Sequence, residues 1–294
     1  MKVLLFGGTG QVGWELQRAL APLGALAAPP SDRVDLARPD LLRECVRAEA
    51  PTVIVNAAAY TAVDRAELEA ERARAINGVA PGVLAEEAAA RGAALVHYST
   101  DYVFDGSGDS PRDEDAAVGP LNAYGHSKLA GEEAIRASGC RHLILRTSWV
   151  HGTRGSNFVK TVLRLAAQRE TLDVVDDQVG APTGADLLAD VTTHLLRALA
   201  RDAIAGGTYH CTAAGETSWH GLARWVVERS AADGRPLRLA PDAVHPIASR
   251  DYPTPARRPL NSRLDCSRLQ RDVDLSLPPW QAGVARLLAE LVPR

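Results

Sequence analysis

An apolar strand-like run, Lys2–Phe6, leads straight into Gly7-Gly8-Thr9-Gly10-Gln11-Val12-Gly13, and a helical pattern opens at Gln11. That helix carries Val12, Leu16, Ala19, Leu20 and Leu23 on one face. Strand, glycine-rich turn and amphipathic helix, in that order, are the first half of a βαβ unit, and few other folds accommodate them. Glycines at 7, 10 and 13 permit a tight turn, a close backbone approach to a pyrophosphate, and close helix–strand packing. The helix start adds free N–H groups and the positive end of its dipole, both suited to an anion. Gly7, Gly10, Gln11, Val12 and Gly13 are therefore candidate cofactor-binding residues.

The pattern continues down the chain. Leu26–Ala28, Thr52–Val55, Ala94–Tyr98 and His142–Trp149 read as strands; Pro39–Ala50, a long stretch from Asp64 to Arg91, and Asn122–Ser138 read as helices. Strands apolar on both faces, alternating with helices, predict a doubly wound parallel sheet of the α/β class covered on both sides. Residues 1–150 are expected to form a dinucleotide-binding domain, joined by a helix near 185–200. Residues 151–294 are expected to form mainly a smaller α/β substrate-binding lobe.

Composition narrows the function. With 36 acidic and 33 basic residues among 294, the net charge of -3 gives no electrostatic reason to bind nucleic acid or an anionic membrane. No run approaches the ~18 apolar residues of a membrane span. The four cysteines, Cys45, Cys140, Cys211 and Cys266, lack metal-ligand or redox spacing and suit a reducing, cytoplasmic setting. The histidines show no zinc spacing, and no Ser–His–Asp or phosphate-loop pattern is present.

Tyr124-Gly125-His126-Ser127-Lys128 opens a predicted helix. A spacing of four places Tyr124 and Lys128 one turn apart on one face. An ammonium there favours the phenolate, which predicts a tyrosine pKa lowered toward neutrality for general acid chemistry. Six tyrosines and three lysines in the whole chain make an accidental pairing rare. Upstream, Ser99-Thr100 ends a strand and offers a hydroxyl to a substrate carbonyl. Asn56-Ala57-Ala58-Ala59, also past a strand end, lets backbone approach a nucleotide, and Trp149 offers a face for a sugar ring. Where an acid normally grips the adenosine ribose, the chain reads Pro29-Pro30-Ser31-Asp32-Arg33. Asp32 suits ribose hydroxyls and Ser31 with Arg33 suits a 2'-phosphate, so NADH and NADPH both stay open.

These segments resemble the extended short-chain dehydrogenase/reductase family, and more narrowly its dTDP-4-dehydrorhamnose reductases. The resemblance runs through Gly7–Leu16, Val55–Asp64, Tyr98–Phe104, Tyr124–Glu132, Arg146–Val150, Asn157–Thr161, Asp177–Thr183 and Tyr252–Pro259. Thr-Asp-Tyr-Val-Phe combined with Arg-Thr-Ser-Trp-Val is the most specific part. It implies Thr100, Tyr124 and Lys128 as the catalytic triad. It implies a cofactor along Gly10, Gln11, Val12, Asp35, Leu36, Ala57, Ala58, Ala59 and Tyr98, and a dTDP-sugar substrate touching Thr100, Asp101 and Trp149. A homodimer is implied too, with Mg²⁺ in some members held at the interface by acids matching Glu15, Asp186 and Glu290. Two alternatives remain open: an NAD-dependent nucleotide-sugar epimerase or dehydratase, and a non-catalytic dinucleotide-binding subunit. Tyr102 in place of a second carboxylate after Asp101 disfavours dehydration.

Overall fold

The computed structural model describes residues 1–291. The first half alternates as the apolar pattern dictates: β1 (Lys2–Phe6), α1 (Gln11–Leu20), β2 (Ala25–Ala27), α2 (Pro39–Glu49), β3 (Val53–Asn56), α3 (Val63–Ala66), α4 (Ala70–Arg74), α5 (Ala80–Arg91), β4 (Ala94–Thr100), α6 (Ala123–Ala137) and β5 (Arg141–Thr147). The second half begins with β6 (Val150–His151), α7 (Phe158–Ala166), β7 (Leu172–Val175), β8 (Val179–Gly180), β9 (Thr183–Gly184), α8 (Ala185–Ala200) and β10 (Gly207–His210). It ends with β11 (Thr217–Ser218), α9 (Trp219–Ala232), β12 (Val244–Ile247), α10 (Ser267–Val273) and α11 (Trp280–Glu290).

Six strands make one all-parallel sheet in the order β10-β5-β4-β3-β1-β2. Side chains alternate across it with period two. Val3, Leu5, Val55, Val96 and Leu145 face α1 and α8, while Leu4, Phe6, Ile54, Leu95 and Ile144 face α2, α5 and α6. Both faces are buried, so the fold is the doubly wound Rossmann type. The chain order reverses between β1 and β3, and ligands of such sheets bind beyond the strand ends at that switch point.

A third apolar cluster lies outside the sheet. Val159 and Val162 of α7, Leu222 and Val226 of α9, and Val284 and Leu288 of α11 pack with Leu172 and Val244 of the β7–β12 pair. Not all of the second half sits there: β10 joins the sheet beside β5, and α8 and α10 contribute Leu188, Leu195 and Leu269 to the core against it.

The helix expected over 64–91 is broken. Between α4 and α5 the backbone is wound as a π-helix over Ala75–Val79. Pro81 has no N–H to donate to the Asn77 carbonyl, so the regular ladder fails there. α6 crosses at the same point: a Cβ on Gly131 would lie 2.2 Å from the Asn77 oxygen. The break lets the two helices touch, and it fixes α6 over the end of β4.

Candidate active site

The glycine turn closes as its sequence requires. Gly10 N–H donates to the Gly7 carbonyl (3.0 Å), and Gly10 caps α1 without a side-chain hydrogen bond, which leaves the first amides of the helix free. Gly7 has φ +81°, and a Cβ there would meet Ala58 N at 2.6 Å; one on Gly13 would meet the Gly7 oxygen at 2.0 Å. Only glycine fits at either position. The switch-point walls are thus the Gly7–Gly13 turn after β1 and Asn56-Ala57-Ala58-Ala59 after β3. This cradle of free amides fits the pyrophosphate of a dinucleotide.

Two strands along, Thr100 ends β4 and α6 begins at Ala123. Asn122 caps that helix by accepting from Gly125 N–H (2.8 Å), and its amide donates to the Arg257 carbonyl (2.8 Å). The Pro-Arg segment therefore braces the start of α6. Arg258 itself binds Asp64 in a two-pronged pair (2.8 and 3.1 Å). Within the site, Thr100 donates to Asp101 (2.9 Å), Tyr124 lies edge-on to Tyr102, and Lys128 is 1% exposed. Lys128 Nζ reaches the Tyr98 carbonyl (2.5 Å) and His97 Nε2 (3.0 Å).

Protonation differs from the sequence expectation. Burial, followed by the negative charge of Asp101, pushes the Tyr124 phenol well above its ordinary value, against the lowering effect of the Thr100 hydroxyl. Burial pulls the pKa of Lys128 itself down to about 7, against the charge of Glu132. Burial also drives Asp101 up to about 6, opposed by the Ser262 and Thr100 hydroxyls. Tyr124 is held as the protonated acid. The expectation of a phenol tuned down by its neighbouring ammonium is corrected on this point.

A cleft of about 1110 Å³ opens beside α7 and α9, lined by Phe158, Leu165, Trp219, Arg250, Tyr252 and Arg257, among others. Trp149 has φ +50°, and its ring stacks on Trp219 at 3.5 Å. One face of Trp149 is thus already covered.

Comparison with known proteins decides the family. The family model described as RmlD substrate binding domain matches residues 1–292. Curated dTDP-4-dehydrorhamnose reductases are 50% identical in Escherichia coli (strain K12), over 99% of this chain and 98% of that protein, and 47% identical in Burkholderia thailandensis, over 99% of both. The chain belongs to the dTDP-4-dehydrorhamnose reductase family. A solved reductase of that name from Bacillus anthracis, in complex with NADP, superposes with a TM-score of 0.89 at 33% identity, covering 99% of this chain and 100% of that one.

Within this family member, several expected contacts look different in three dimensions. Leu36 is a core residue, packed with Val34 and Leu42. Asp35 accepts from Ala37 N–H (2.9 Å). The Tyr98 ring lies in the core and its hydroxyl pairs with Thr192 (2.5 Å), so its carbonyl is what it offers the site.

Glu15, Asp186 and Glu290 do line one small cavity. A cation is already there: Arg286 pairs with Asp186 (2.9 Å) and with Glu290 (3.0 Å). Among the described residues, no group of three or more His, Cys, Asp or Glu side chains is arranged to hold a metal ion. Within this chain one guanidinium thus pairs with two of the three acids, and Glu15 pairs with Arg18.

Three features escaped the sequence reading: His97, the Glu132–Arg146 pair and Trp219. Only His97 left a signal, a polar residue interrupting the apolar run Leu95-Val96-His97-Tyr98.

Proposed function

We propose that this chain reduces the 4-keto group of dTDP-4-dehydro-L-rhamnose to dTDP-L-rhamnose, with NADPH or NADH. The observation that carries the reading is the placement of Thr100, Tyr124 and Lys128 at the end of β4 and the start of α6, across the switch point from a turn that only glycines can make. Gly7, Gly10, Gln11, Val12 and Gly13, with Ala57, Ala58 and Ala59, hold the dinucleotide by backbone amides and close approach. Asp35, Leu36 and Tyr98 contribute backbone along it. When bound, the reduced cofactor supplies the hydride.

Tyr124 supplies the proton. Its raised pKa keeps the phenol neutral at neutral pH, the form that can donate to an alkoxide as the carbonyl carbon is reduced. The Thr100 hydroxyl, by turning its one proton from Asp101 to the same oxygen, orients it. Lys128 restores the proton to Tyr124 after turnover. Thr100, Asp101 and the Trp149–Trp219 pair flank the sugar, and the cleft lined by Tyr252, Arg250 and Arg257 takes the nucleotide diphosphate. The intact acid, lysine and threonine favour an enzyme over a binding subunit. A cytoplasmic homodimer accompanies this reading; among the described residues no helix is long and apolar enough to cross a membrane.

The test is loss of reduced-nicotinamide absorbance on adding dTDP-4-dehydro-L-rhamnose, with NADPH and NADH in parallel. Substrate-dependent oxidation is expected, and Tyr124→Phe should lose at least ~10²-fold in turnover while still binding cofactor. Silence with both cofactors, from folded protein that binds them, would overturn the assignment.

A further inference from the structure

The Pro-Arg segment is pinned at both ends, to different halves of the molecule. At its start, Ser249 N–H donates to the Asp177 carboxylate (2.9 and 3.0 Å), and Gln178 Nε2 donates to the Ser249 hydroxyl (2.8 Å). Both partners lie just before β8. At its far end, Asp64 of α3 accepts from Ala256 N–H (3.2 Å) as well as from Arg258. Between the pins, Arg250, Tyr252 and Arg257 line the cleft. Arg258 is committed to Asp64. Among the described residues no carboxylate pairs with Arg257, so its guanidinium is available to a phosphate.

The Arg257 peptide is held from the other side. Its carbonyl accepts from Asn122 Nδ2 (2.8 Å), and Asn122 is only 4% exposed. Asn122 Oδ1 accepts from Gly125 N–H (2.8 Å), and the Asn122 carbonyl accepts from His126 N–H (3.0 Å). Two amides of the first turn of α6 thus depend on this one residue, and Tyr124 lies in that turn. A Cβ on Gly125 would lie 2.3 Å from the Tyr102 carbonyl, so the turn is seated directly on the segment that follows Thr100. Capping alone does not call for asparagine. Serine and aspartate cap as well, and a carboxylate suits the positive end of a helix better than a neutral amide. What asparagine adds is a donor: it accepts with one terminal atom and donates with the other, and so joins a helix amide to a carbonyl. A second link to α6, from Ala123 N–H to Glu67 (2.8 Å), is open to water and holds only the first amide.

We propose that Asn122 is a positioning residue: it ties the Arg257 peptide to the first turn of α6, so that a nucleoside diphosphate held by the Pro-Arg segment also steadies Tyr124 against the sugar oxygen. The nucleotide takes no part in the chemistry, and through this tie its binding energy is applied at the reacting centre. The proposal rests on the reading of the cleft as the diphosphate site and of Tyr124 as the proton donor.

The probe is dTDP, which fills the nucleotide site but carries no sugar to touch Tyr124. Its binding to the NADP⁺-loaded protein is followed by calorimetry and by amide hydrogen exchange. In the parent chain dTDP is expected to slow exchange along the cleft and, with it, at the Gly125 and His126 amides. Asn122→Ser and Asn122→Asp keep a capping oxygen but have no NH₂ for the Arg257 carbonyl. In both, dTDP should bind within about threefold of the parent and still protect the cleft, while the response at Gly125 and His126 disappears. Turnover should fall by about tenfold or more with KM little changed, since the lost interaction serves the transition state. Were Asn122 only a cap, both variants would keep the parent's turnover and its response to dTDP, and that result would overturn the proposal. A loss confined to KM would do the same, as would protection of the cleft without Gly125 and His126 in the parent chain. If neither variant folds, the parent's response to dTDP still decides. If dTDP gives no heat and protects no part of the cleft, it is the reading of the cleft that fails, and the tie falls with it.

Discussion

One turn apart on α6, Lys128 and Glu132 are both sealed from solvent, yet burial has opposite consequences for them. Glu132 is 0% exposed and gripped by Arg146 at 2.9 and 2.7 Å, with Arg136 adding a third contact at 3.1 Å. Burial alone would raise its pKa, but the hydrogen bonds and charge of Arg146 outweigh it, and the carboxylate stays below its ordinary range. Lys128 has a ring nitrogen and a carbonyl as partners, with no carboxylate of its own, so burial wins and its pKa falls to about 7. The first arrangement is a structural strut. The second is a group whose charge is negotiable at physiological pH, which is what proton transfer requires.

The sharpest way to break this contrast is to remove the lysine. Lys128→Met should lower turnover by at least ~10²-fold, read by nicotinamide absorbance. It should also stabilise the fold, by about 2 kcal/mol after the lost hydrogen bonds are counted. The sign follows from linkage. A base whose folded pKa is depressed contributes stability that is present above its unfolded pKa and lost as pH falls through the folded one. For Lys128 that loss runs from about 10.5 down to about 7. The gain in Lys128→Met should therefore be full at pH 7 and fade toward pH 10.5. Glu132→Gln should do the reverse. It leaves Arg146 buried without its countercharge and should cost ~3–5 kcal/mol in denaturant unfolding near neutral pH. A variant that unfolds no more easily than the parent would mean that Arg146 finds another partner.

The sheet was legible because its logic is local. Alternating apolar runs, the Gly7–Gly13 turn and the Asn122 cap are each dictated by residues close in sequence, and the Tyr124–Lys128 spacing shows itself on any helix. Features made by tertiary contact were not. Nothing in the segment 64–91 announces that Gly131 will press on the Asn77 carbonyl, although Pro81 marks the weak point. The lowered tyrosine pKa was inferred from a single neighbour, while burial and Asp101 set the outcome. The adenosine end stayed ambiguous because Pro29-Pro30 replaces the acid that usually signals it. Asp186 and Glu290 lie 104 positions apart, so the arginine joining them could not be read from spacing.

Asp101 extends the contrast by one residue. It is a buried carboxylate with hydroxyl partners where Glu132 has guanidinium ones, and its pKa is pushed up to about 6. A raised carboxyl contributes stability that is present below its unfolded value near 3.8 and lost as pH rises through the folded one. Asp101→Asn should consequently be more stable than the parent by about 2–3 kcal/mol at pH 8, with the difference gone below pH 4, in parallel melts. A difference independent of pH would show that the ionised form is solvated and that burial does not govern this site.

The acid cluster at the small cavity gives the smallest effect, because its charges are paired in the open. Arg286 is half exposed and meets Asp186 and Glu290 from one side, in a geometry where water and salt compete for every group. Exposed pairs of this kind are worth about 0–1 kcal/mol. Arg286→Gln should lower stability by no more than ~1 kcal/mol at low salt, and by less in 1 M salt, where the screening length is only about 3 Å. The Glu132→Gln loss should survive the same salt almost intact, since ions do not reach a pair sealed under α6. Equal salt sensitivity in the two variants would show that solvent reaches Arg146, and the distinction between strut and surface pair would fall with it.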